Sequence, residues 1–486
     1  MKKYQNPALI VVGASLLLSI IHCPLFNIFY DDKEIFKYTG YVILKGGVPY
    51  QNFFDHKPPL IFFLNWGGLL MGKWGLWLLD ILMVLYASLL FYKISKSKLG
   101  NPWLLPLLFN LLLRVPFISN GIGMTREYTT IFLLIFFCFL LMERKYKYFW
   151  LGLITALIFF MQQDQIITLL PLFIYGLLVD LSRSWIKVLV RRSAAMLLGF
   201  LVITLPIICY FQWHHALTDF WSDAFLFNFA WYTEKVPLQQ NVKSIFVSMR
   251  NGGYELAFYV SLILGIASLI LGNTNKKLLI ACLFALFLSF SAEYVSGKLV
   301  LGLDVYYYLL PLAATMPMLL YAVYTNGEPS PLQNKVNQLI YGMIFAAAPL
   351  LQVGGYSLGI LKRGPSWFEV TPAVQYFKDL PLHDYDLYVF SSSQAVFLYN
   401  QHHILAPSKW IYHYFWHWYK NWDPHHEILQ SITDDLMKHK TTYVLDYSDS
   451  TTFKNKDNYQ YWKSFLENHY ASTHLDSGRV QVWKMK

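Results

Sequence analysis

Long apolar runs recur along most of this chain, and they restrict its fold more than any other feature. A run of about 20 apolar residues is long enough to cross the hydrocarbon core of a bilayer as a helix. Hydrophobic residues make up 56% of the chain and charged residues only 14%, which is typical of polytopic membrane proteins. We therefore predict a mainly α-helical protein with about eleven membrane helices. They are expected near residues 8–29, 74–94, 102–118, 127–142, 148–163, 165–181, 193–211, 254–272, 278–292, 306–324 and 336–361.

Basic residues fall in alternate short loops between these predicted helices. If the N-terminus is cytoplasmic, all of these loops lie in the cytoplasm, as the positive-inside rule requires. Segments 30–73, 212–253 and 293–305 then lie on the outer face. The net charge of +10 fits contact with anionic membrane lipids, and the absence of a basic patch interleaved with aromatic residues argues against nucleic acid as a partner. The basic loop residues are Lys93, Lys96, Lys98, Arg144, Lys145, Lys147, Arg183, Lys187, Arg191, Arg192, Lys276 and Lys277.

The composition changes near residue 362, where the long apolar runs end. Residues 387–390 and 443–445 have the short apolar pattern of buried strands, and residues 480–483 resemble a last strand. Residues 427–439 have apolar positions at helical spacing. We therefore predict that residues 1–361 form a membrane domain and residues 362–486 a small extracytoplasmic α/β domain.

The first outer segment carries an unusual concentration of ionisable residues. Asp31, Asp32 and Glu34 directly follow the first apolar run. Carboxylates at a membrane interface without an adjacent basic block are costly, which favours a functional role. The alternative, with about equal weight, is a solvated helix N-terminus, where acidic side chains complement the helix dipole. Further along lie Gly46-Gly47, Pro49-Tyr50 and then Asp55-His56-Lys57-Pro58-Pro59-Leu60.

Three other polar clusters are candidates for a site. Arg126-Glu127 stands at the start of a predicted helix, where dipole matching and snorkelling are the simpler explanation. Lys298 is a candidate phosphate ligand, and the Tyr306-Tyr307-Tyr308 run that follows Asp304 is typical of an interfacial aromatic belt. A polar cluster at residues 162–165 fits either a tight turn or a polar cavity. Neighbouring histidine pairs are interpreted as surface residues, and no metal ligand is assigned.

Several separated pieces resemble one family. The first outer segment, with Asp31-Asp32, Gly46-Gly47-Val48-Pro49-Tyr50 and the Asp55–Leu60 stretch, is similar to that of GT-C fold glycosyltransferases. The closer resemblance is to the bacterial relatives of protein O-mannosyltransferases and of the lipid A aminoarabinose transferase. Glu127 matches the second acidic position of these enzymes, and residues 221–232, with Asn228, resemble their aromatic outer loop. The Ser296-Gly297-Lys298 stretch through Tyr307 and Pro311 resembles a family motif with Arg in place of Lys298 and His in place of Asp304.

The resemblance implies an inverting sugar transfer from a polyprenyl-phosphate donor at the outer face of the bacterial cytoplasmic membrane. Asp31 then takes the place of the catalytic base, Asp32 that of its neighbour, and Glu127 that of the second catalytic acid. His56, Lys57, Arg126, Lys298, Asp304 and Tyr307 are the residues expected to bind substrate.

The acceptor implied by the resemblance is a lipid, a glycan or a protein. A requirement for a divalent metal ion is left open, because relatives differ, and the departures at Lys298 and Asp304 weaken phosphate or metal binding there. A lipid-linked glycan transporter and a glycan ligase or polymerase are the alternative functions. Charge gathered on one face, rather than along a path through the membrane, favours the enzyme over the transporter.

Overall fold

The computed structural model describes residues 7–26, 31–116, 123–179, 185–231, 238–271, 276–295, 309–325, 335–363, 372–392, 394–473 and 480–486. The chain divides into two compact units. Unit 1 comprises residues 1–26, 76–210 and 226–365, and unit 2 comprises residues 27–75, 211–225 and 366–486.

Helices dominate the described residues, and four short strands form one sheet. The helices in chain order are α1 Pro7–Ser19, α2 Asp31–Leu44, α3 Leu60–Leu70, α4 Gly75–Lys96, α5 Leu104–Leu113, α6 Thr125–Leu141, α7 Lys147–Met161, α8 Ile166–Leu178, α9 Trp185–Trp213, α10 Leu217–Trp221, α11 Phe227–Trp231, α12 Leu238–Asn251, α13 Glu255–Leu271, α14 Lys276–Val295, α15 Leu312–Thr325, α16 Lys335–Arg363, α17 Pro372–Asp379, α18 Phe397–His402, α19 Tyr414–Trp418, α20 Glu427–His439 and α21 Lys456–His469. The strands are β1 Leu387–Phe390, β2 Tyr443–Asp446, β3 Tyr470–Ser472 and β4 Gln481–Met485.

Each apolar segment predicted to cross the membrane contains a helix in the structure. Among the described residues, three helices are long and apolar enough to span a bilayer: α4, α9 and residues 335–359 of α16. A fourth span is possible if residues 245–251 and α13, which meet at a bend of 111°, are taken together. The mainly helical class and the small sheet are confirmed, whereas the count of about eleven spans is not confirmed and stays a prediction.

Within unit 1, two glycines allow α7 and α9 to approach closely. A Cβ atom placed on Gly152 of α7 would lie 1.8 Å from the carbonyl oxygen of Met196 in α9. A Cβ atom on Gly199 of α9 would lie 1.9 Å from the carbonyl oxygen of Phe149 in α7. Each glycine therefore accepts the backbone of the other helix, which is how small residues promote helix packing in membranes.

Unit 2 contains the sheet, whose strand order is β1-β2-β4-β3. Strands β1 and β2 are parallel, with Leu387 opposite Tyr443, and the other two pairings are antiparallel. The strands and the helix predicted in this part of the sequence are confirmed, since residues 387–390 form β1, residues 443–446 form β2 and α20 covers residues 427–439. Apolar and aromatic residues with high strand propensity explain these strands.

Aromatic rings fill the space against the sheet. The Phe390 ring at the end of β1 stacks on Trp462 of α21 at 4.4 Å between ring centroids, and it also meets Trp416 at 5.7 Å. Both tryptophans are buried. Such large rings supply much of the apolar burial that a small domain needs.

Unit 2 also contains the first predicted outer segment, as helices α2 and α3. Their contact is close at Gly40, where a Cβ atom would lie 2.7 Å from the backbone nitrogen of Trp66. The absence of a side chain at Gly40 therefore allows α2 and α3 to pack together, which fixes the loop between them. The division of the chain at residues 361 and 362 into membrane and extracytoplasmic domains stays a prediction.

Candidate functional site

A small pocket in unit 2 brings together several polar residues of the first predicted outer segment. Asp32, Ile35 and Phe36 contribute from the first turns of α2, where positions three and four apart share one face. Asp55, His56 and Lys57 contribute from the loop before α3, and Tyr412 completes the lining. The sequence therefore places two carboxylates, an imidazole and an ammonium group around one small space.

The loop that presents Asp55 is held by local hydrogen bonds. The Lys57 backbone N–H donates to Asp55 Oδ1 at 2.9 Å, an Asx turn that reverses the chain before Pro58 and Pro59. The Tyr50 hydroxyl donates to the Lys57 carbonyl at 2.7 Å. Tyr50 is fully buried in the left-handed region at φ 71°. These contacts give the Asp55 carboxylate one fixed position.

Asp55 titrates in an unusual range for a carboxylic acid. Burial of its carboxyl group raises its pKa to about 7, and the negative charge of Asp32 acts in the same direction. The Lys57 ammonium and the backbone N–H groups of Lys57 and His56 lower the pKa but do not offset the burial. Asp55 therefore changes its charge near neutral pH, as expected of carboxyl groups in functional sites.

Residues from the C-terminal part of the chain cover this pocket. The Phe54 backbone N–H donates to the Lys409 carbonyl at 2.8 Å, and the Phe54 ring lies 4.6 Å from that of Trp410. The His56 ring lies 5.4 Å from Tyr412 and 5.9 Å from Phe415, and its Nδ1 is 3.7 Å from Asp55 Oδ1. Residues separated by about 350 positions in the sequence thus form one wall, which is why sequence patterns did not reveal Tyr412.

The three acids that follow the first apolar run have different surroundings. Asp31 is the first residue of α2, as the helix N-terminus alternative expected, but the placement of its side chain lies outside the described part of the structure. Asp32 lines the pocket. Glu34 is buried and accepts a hydrogen bond from the Asn400 amide at 2.7 Å. Glu34 therefore fastens α2 to the C-terminal part of unit 2.

Glu127 belongs to a buried ionic cluster in unit 1. Arg114, which directly follows α5, donates hydrogen bonds to both Glu127 of α6 and Asp80 of α4. The Gly123 backbone N–H donates to Glu127 Oε2 at 3.2 Å, and Ser19 accepts from Arg114 at 3.3 Å. All three ionic side chains are at most 1% exposed. Sequence analysis did not consider Asp80 and Arg114, although a lone charge inside an apolar run is the signal that marks such residues.

Arg126, the neighbour of Glu127, forms a separate ion pair in unit 1. Its Nη2 lies 3.3 Å from Asp164 Oδ2 and donates a hydrogen bond to it. Arg126 is buried, whereas the Asp164 side chain is one-third exposed, at 33%. Asp164 lies in the short 3₁₀ helix Gln163–Gln165. This agrees with the tight turn that was one of the two interpretations of the sequence. The pairing of Arg126 is therefore with Asp164 and not with Glu127.

Three predicted binding residues, Lys298, Asp304 and Tyr307, lie outside the described residues. Asp223 is an acidic residue that the sequence analysis did not single out. Burial raises its pKa to about 6, and the Lys409 ammonium opposes that rise. Within the described ranges, no three His, Cys, Asp or Glu side chains are grouped to hold a metal ion.

Comparison with solved structures identifies the architecture. The crystal structure of ArnT from Cupriavidus metallidurans in the apo state matches this chain with a TM-score of 0.57 and 12% sequence identity, covering 98% of this chain and 97% of ArnT. The cryo-EM structure of the arabinofuranosyltransferase AftD from Mycobacteria matches with a TM-score of 0.48 and 11% identity, covering 98% of this chain and 40% of AftD.

The second TM-score is too low to establish a shared fold, whereas the first likeness extends over nearly the whole of both chains. No protein-family model matches the chain, and no curated protein matches it. ArnT is a lipid A aminoarabinose transferase of the GT-C type, and the chain therefore has the GT-C fold that its sequence resemblance predicted.

Proposed function

We propose that this protein is an inverting membrane glycosyltransferase that moves a sugar from a polyprenyl-phosphate donor to an acceptor at the outer face of the membrane. The observation that carries the proposal is the pocket in unit 2, where Asp32, Asp55 and Lys57 surround one small space in a chain of GT-C fold. The acceptor is a lipid, a glycan or a protein.

The chemistry of this reaction suits these residues. A polyprenyl phosphate is a good leaving group, so the enzyme needs a base for the acceptor hydroxyl and cations for the phosphate charge that grows during transfer. Asp31 is the proposed base and Asp32 its neighbour. Lys57 is the proposed cation in the pocket of unit 2, and Arg126 and Lys298 are proposed to bind the donor phosphate.

Asp55 adds a pH-dependent charge to this acid cluster. Because its pKa is about 7, it is mostly protonated below neutral pH and mostly ionised above it. An ionised Asp55 next to Asp32 raises the basicity of the neighbouring carboxylates, since like charges disfavour further ionisation. We therefore propose that Asp55 strengthens the base as pH rises, while Lys57 limits the repulsion.

The alternative functions differ in where they are expected to place ionisable residues. A lipid-linked glycan transporter is expected to place ionisable residues along a path through the membrane, and the cluster of Asp80, Arg114 and Glu127 is the buried ionic group in unit 1 to weigh against that expectation. These three side chains are paired with one another and buried, which favours a structural role. A glycan ligase or polymerase would use the same acidic pocket with a larger donor.

The Asp31→Asn variant tests the proposal. Loss of the general base is expected to lower turnover by about a hundredfold or more, with donor binding unchanged. Purified protein in nanodiscs would be assayed with a panel of synthetic polyprenyl-phosphate sugars, chosen by mass spectrometry of envelope lipids and glycans from cells with and without the gene. Near-native turnover of Asp31→Asn would overturn the assignment of the base.

The matched Asp32→Asn variant separates the roles of the two adjacent acids. Because Asp32 lines the pocket as a neighbour and is not the proposed base, its substitution is expected to cost less turnover than Asp31→Asn. If instead Asp32→Asn is the more damaging change, the base is Asp32.

A separate experiment distinguishes a transporter from an enzyme. If the chain transports a lipid-linked sugar without transferring it, no product forms with any donor. The protein reconstituted in vesicles would then move the donor across the bilayer.

A further inference from the structure

A strained serine ends the first strand of the sheet in unit 2. Ser391 follows β1 directly and has a φ of 61°, in the left-handed region that residues other than glycine rarely adopt. Residues held in this region gather at functional sites, because the surrounding structure must hold them there. The chain then continues through Ser392 into the short helical turn Gln394–Val396 and α18. Ser391 thus lies between a strand and a helix.

A chain of buried hydrogen bonds holds Ser391 in this conformation. Its backbone N–H donates to His413 Nδ1 at 3.3 Å. The proton of His413 must then lie on Nε2, which donates to the Tyr388 hydroxyl oxygen at 2.9 Å, and that hydroxyl donates to the Trp410 carbonyl at 2.6 Å. His413 and Tyr388 are buried, and burial lowers the pKa of His413 to about 3. The neutral tautomer that this chain requires is therefore the stable one.

The side chain of Ser391 faces a second histidine. Ser391 Oγ lies 3.2 Å from Nε2 of His417, one helical turn beyond His413. Burial lowers the pKa of His417, and the negative charge of Asp449 opposes that shift. Both Ser391 and His417 are only partly buried, so a substrate can reach them. At neutral pH the imidazole is therefore mostly uncharged, and in the tautomer with its proton on Nδ1 the Nε2 atom accepts the hydrogen bond of the serine hydroxyl.

Asp449 supplies a fixed negative charge to this pair. Its Oδ1 accepts from the backbone N–H groups of Thr451 and Thr452 at 2.8 and 3.0 Å, and from the Thr451 hydroxyl at 2.6 Å. These hydrogen bonds lower the pKa of the Asp449 carboxyl, and the bond from the Thr451 hydroxyl has the largest effect. The carboxylate is therefore ionised at neutral pH and favours a positive charge on His417.

We propose that Ser391 and His417 form a nucleophile and base pair that hydrolyses an acyl ester, a second activity of this chain. The geometric support is a strained serine at the carboxyl end of a strand with its hydroxyl 3.2 Å from an imidazole nitrogen. The negative charge of Asp449 additionally favours the imidazolium. A serine hydroxyl becomes a nucleophile when an adjacent base takes its proton, and such pairs recur in unrelated folds.

The reaction balances with water as the only co-reactant. Ser391 Oγ forms a bond to the acyl carbon while its proton passes to His417 Nε2. The bond from the acyl carbon to the alcohol oxygen breaks, and the alcohol leaves with the proton from His417. Water then attacks the acyl-serine, gives a proton to His417, and releases the carboxylic acid as Ser391 recovers its proton. This proposal does not depend on glycosyl transfer.

The test uses the full chain in detergent with a fluorophosphonate probe, which reacts covalently with activated serines. We expect labelling that mass spectrometry places on Ser391, together with slow hydrolysis of p-nitrophenyl acetate. Ser391→Ala should abolish both, and His417→Gln should slow the labelling by about a hundredfold, as for loss of a general base. Ser392→Ala is the matched control, since its hydroxyl accepts from the Ala395 backbone at 3.2 Å and has no role in the pair.

The control variant also distinguishes loss of activity from loss of folding. Ser391→Ala and Ser392→Ala should have the same melting temperature within error, so that a lost reaction in Ser391→Ala reflects the missing hydroxyl. Ser391→Cys adds an independent readout, because His417 should make its thiol react with iodoacetamide faster than the thiol of Ser392→Cys. The proposal is overturned if folded wild-type protein is not labelled, if labelling persists in Ser391→Ala, or if the two cysteines react at the same rate.

Discussion

Two groups of buried carboxylates in this protein have opposite electrostatic surroundings. In unit 1, one guanidinium, that of Arg114, binds both Asp80 and Glu127, and all three side chains are buried. In unit 2, Asp55 is equally buried but is held by backbone N–H groups and a lysine, with Asp32 nearby. The first group shares one guanidinium between two carboxylates, each of which accepts a hydrogen bond from it, whereas the second keeps a carboxyl group that titrates near neutral pH.

The difference separates a structural use of buried acids from a chemical one. Buried charges are stable only when they are paired and hydrogen-bonded, and a guanidinium satisfies two carboxylates through its several N–H groups. An acid whose ionised form is only partly compensated exchanges its proton within the physiological range, as catalysis by acids and bases requires. Burial alone therefore does not identify a functional carboxylate, whereas the partner of that carboxylate does.

The largest expected effect is that of Arg114→Met. Removing the guanidinium leaves Asp80 and Glu127 buried next to each other, and breaking a buried ion pair costs about 3–5 kcal/mol. We expect little folded protein, measured as the monodisperse fraction and melting temperature in detergent. The matched control is the triple variant Arg114→Met, Asp80→Asn and Glu127→Gln, in which no charge remains unpaired and much of the stability should return.

Glu127→Gln in the wild-type background sharpens the same comparison. If Glu127 is mainly structural, the variant loses melting temperature and its remaining folded protein turns over normally. If Glu127 is the second catalytic acid that the resemblance implies, turnover falls by far more than the folded fraction does. The comparison between the two groups fails if Arg114→Met folds as well as the wild type.

Asp55→Asn is expected to change the pH profile of transfer. In the wild type, activity should rise as pH increases through about 7, because the ionised Asp55 strengthens the neighbouring base. The asparagine cannot ionise, so the variant should have a flat profile from about pH 6 to pH 8 and turnover lower by about tenfold at the upper end. The readout is kcat across this range with saturating donor. A variant with an unchanged rise through neutral pH would remove Asp55 from the proposed mechanism.

The same substitution has a second readout in stability. The folded-state pKa of Asp55, about 7, lies above its ordinary value of 3.8, so the folded protein binds this proton more tightly than the unfolded chain does. Stability therefore decreases as pH rises from about 4 to about 7, where Asp55 loses its proton. In Asp55→Asn this part of the decrease should be absent, as measured by melting temperatures at about pH 5 and pH 8.

Local sequence patterns predicted the elements that local forces determine. The apolar run Leu387–Phe390 became a strand and the periodic residues 427–439 became a helix, since each buries one continuous apolar surface. The Asp55-His56-Lys57-Pro58-Pro59 stretch, which the sequence singled out, forms the loop before α3. The sequence did not show that the pKa of Asp55 is raised, because that depends on burial by residues such as Tyr412, far along the chain.

The sequence also did not predict which distant side chains form ion pairs. Arg126 and Glu127 are adjacent in the sequence and carry opposite charges, and dipole matching and snorkelling were the simpler explanation for them. On a helix, however, adjacent residues point in different directions, so each side chain meets a different neighbour. Arg126 meets Asp164 and Glu127 meets Arg114, and no pattern within one segment contains that information.

The smallest expected effect concerns Arg126 and Asp164. Their contact is a single hydrogen bond of 3.3 Å, and Asp164 is 33% exposed, so water compensates part of its loss. A double-mutant cycle of Arg126→Ala and Asp164→Ala should give a coupling energy of about 1 kcal/mol, well below the cost of Arg114→Met.

The same variants test whether Arg126 also binds the donor phosphate. If it does, Arg126→Ala lowers affinity for a polyprenyl-phosphate analogue, because a guanidinium binds phosphate through two N–H groups. Asp164→Ala keeps that guanidinium and should keep the affinity. Unchanged donor affinity in Arg126→Ala, with the stability coupling present, would leave Arg126 as a structural partner of Asp164 and remove it from the proposed phosphate site.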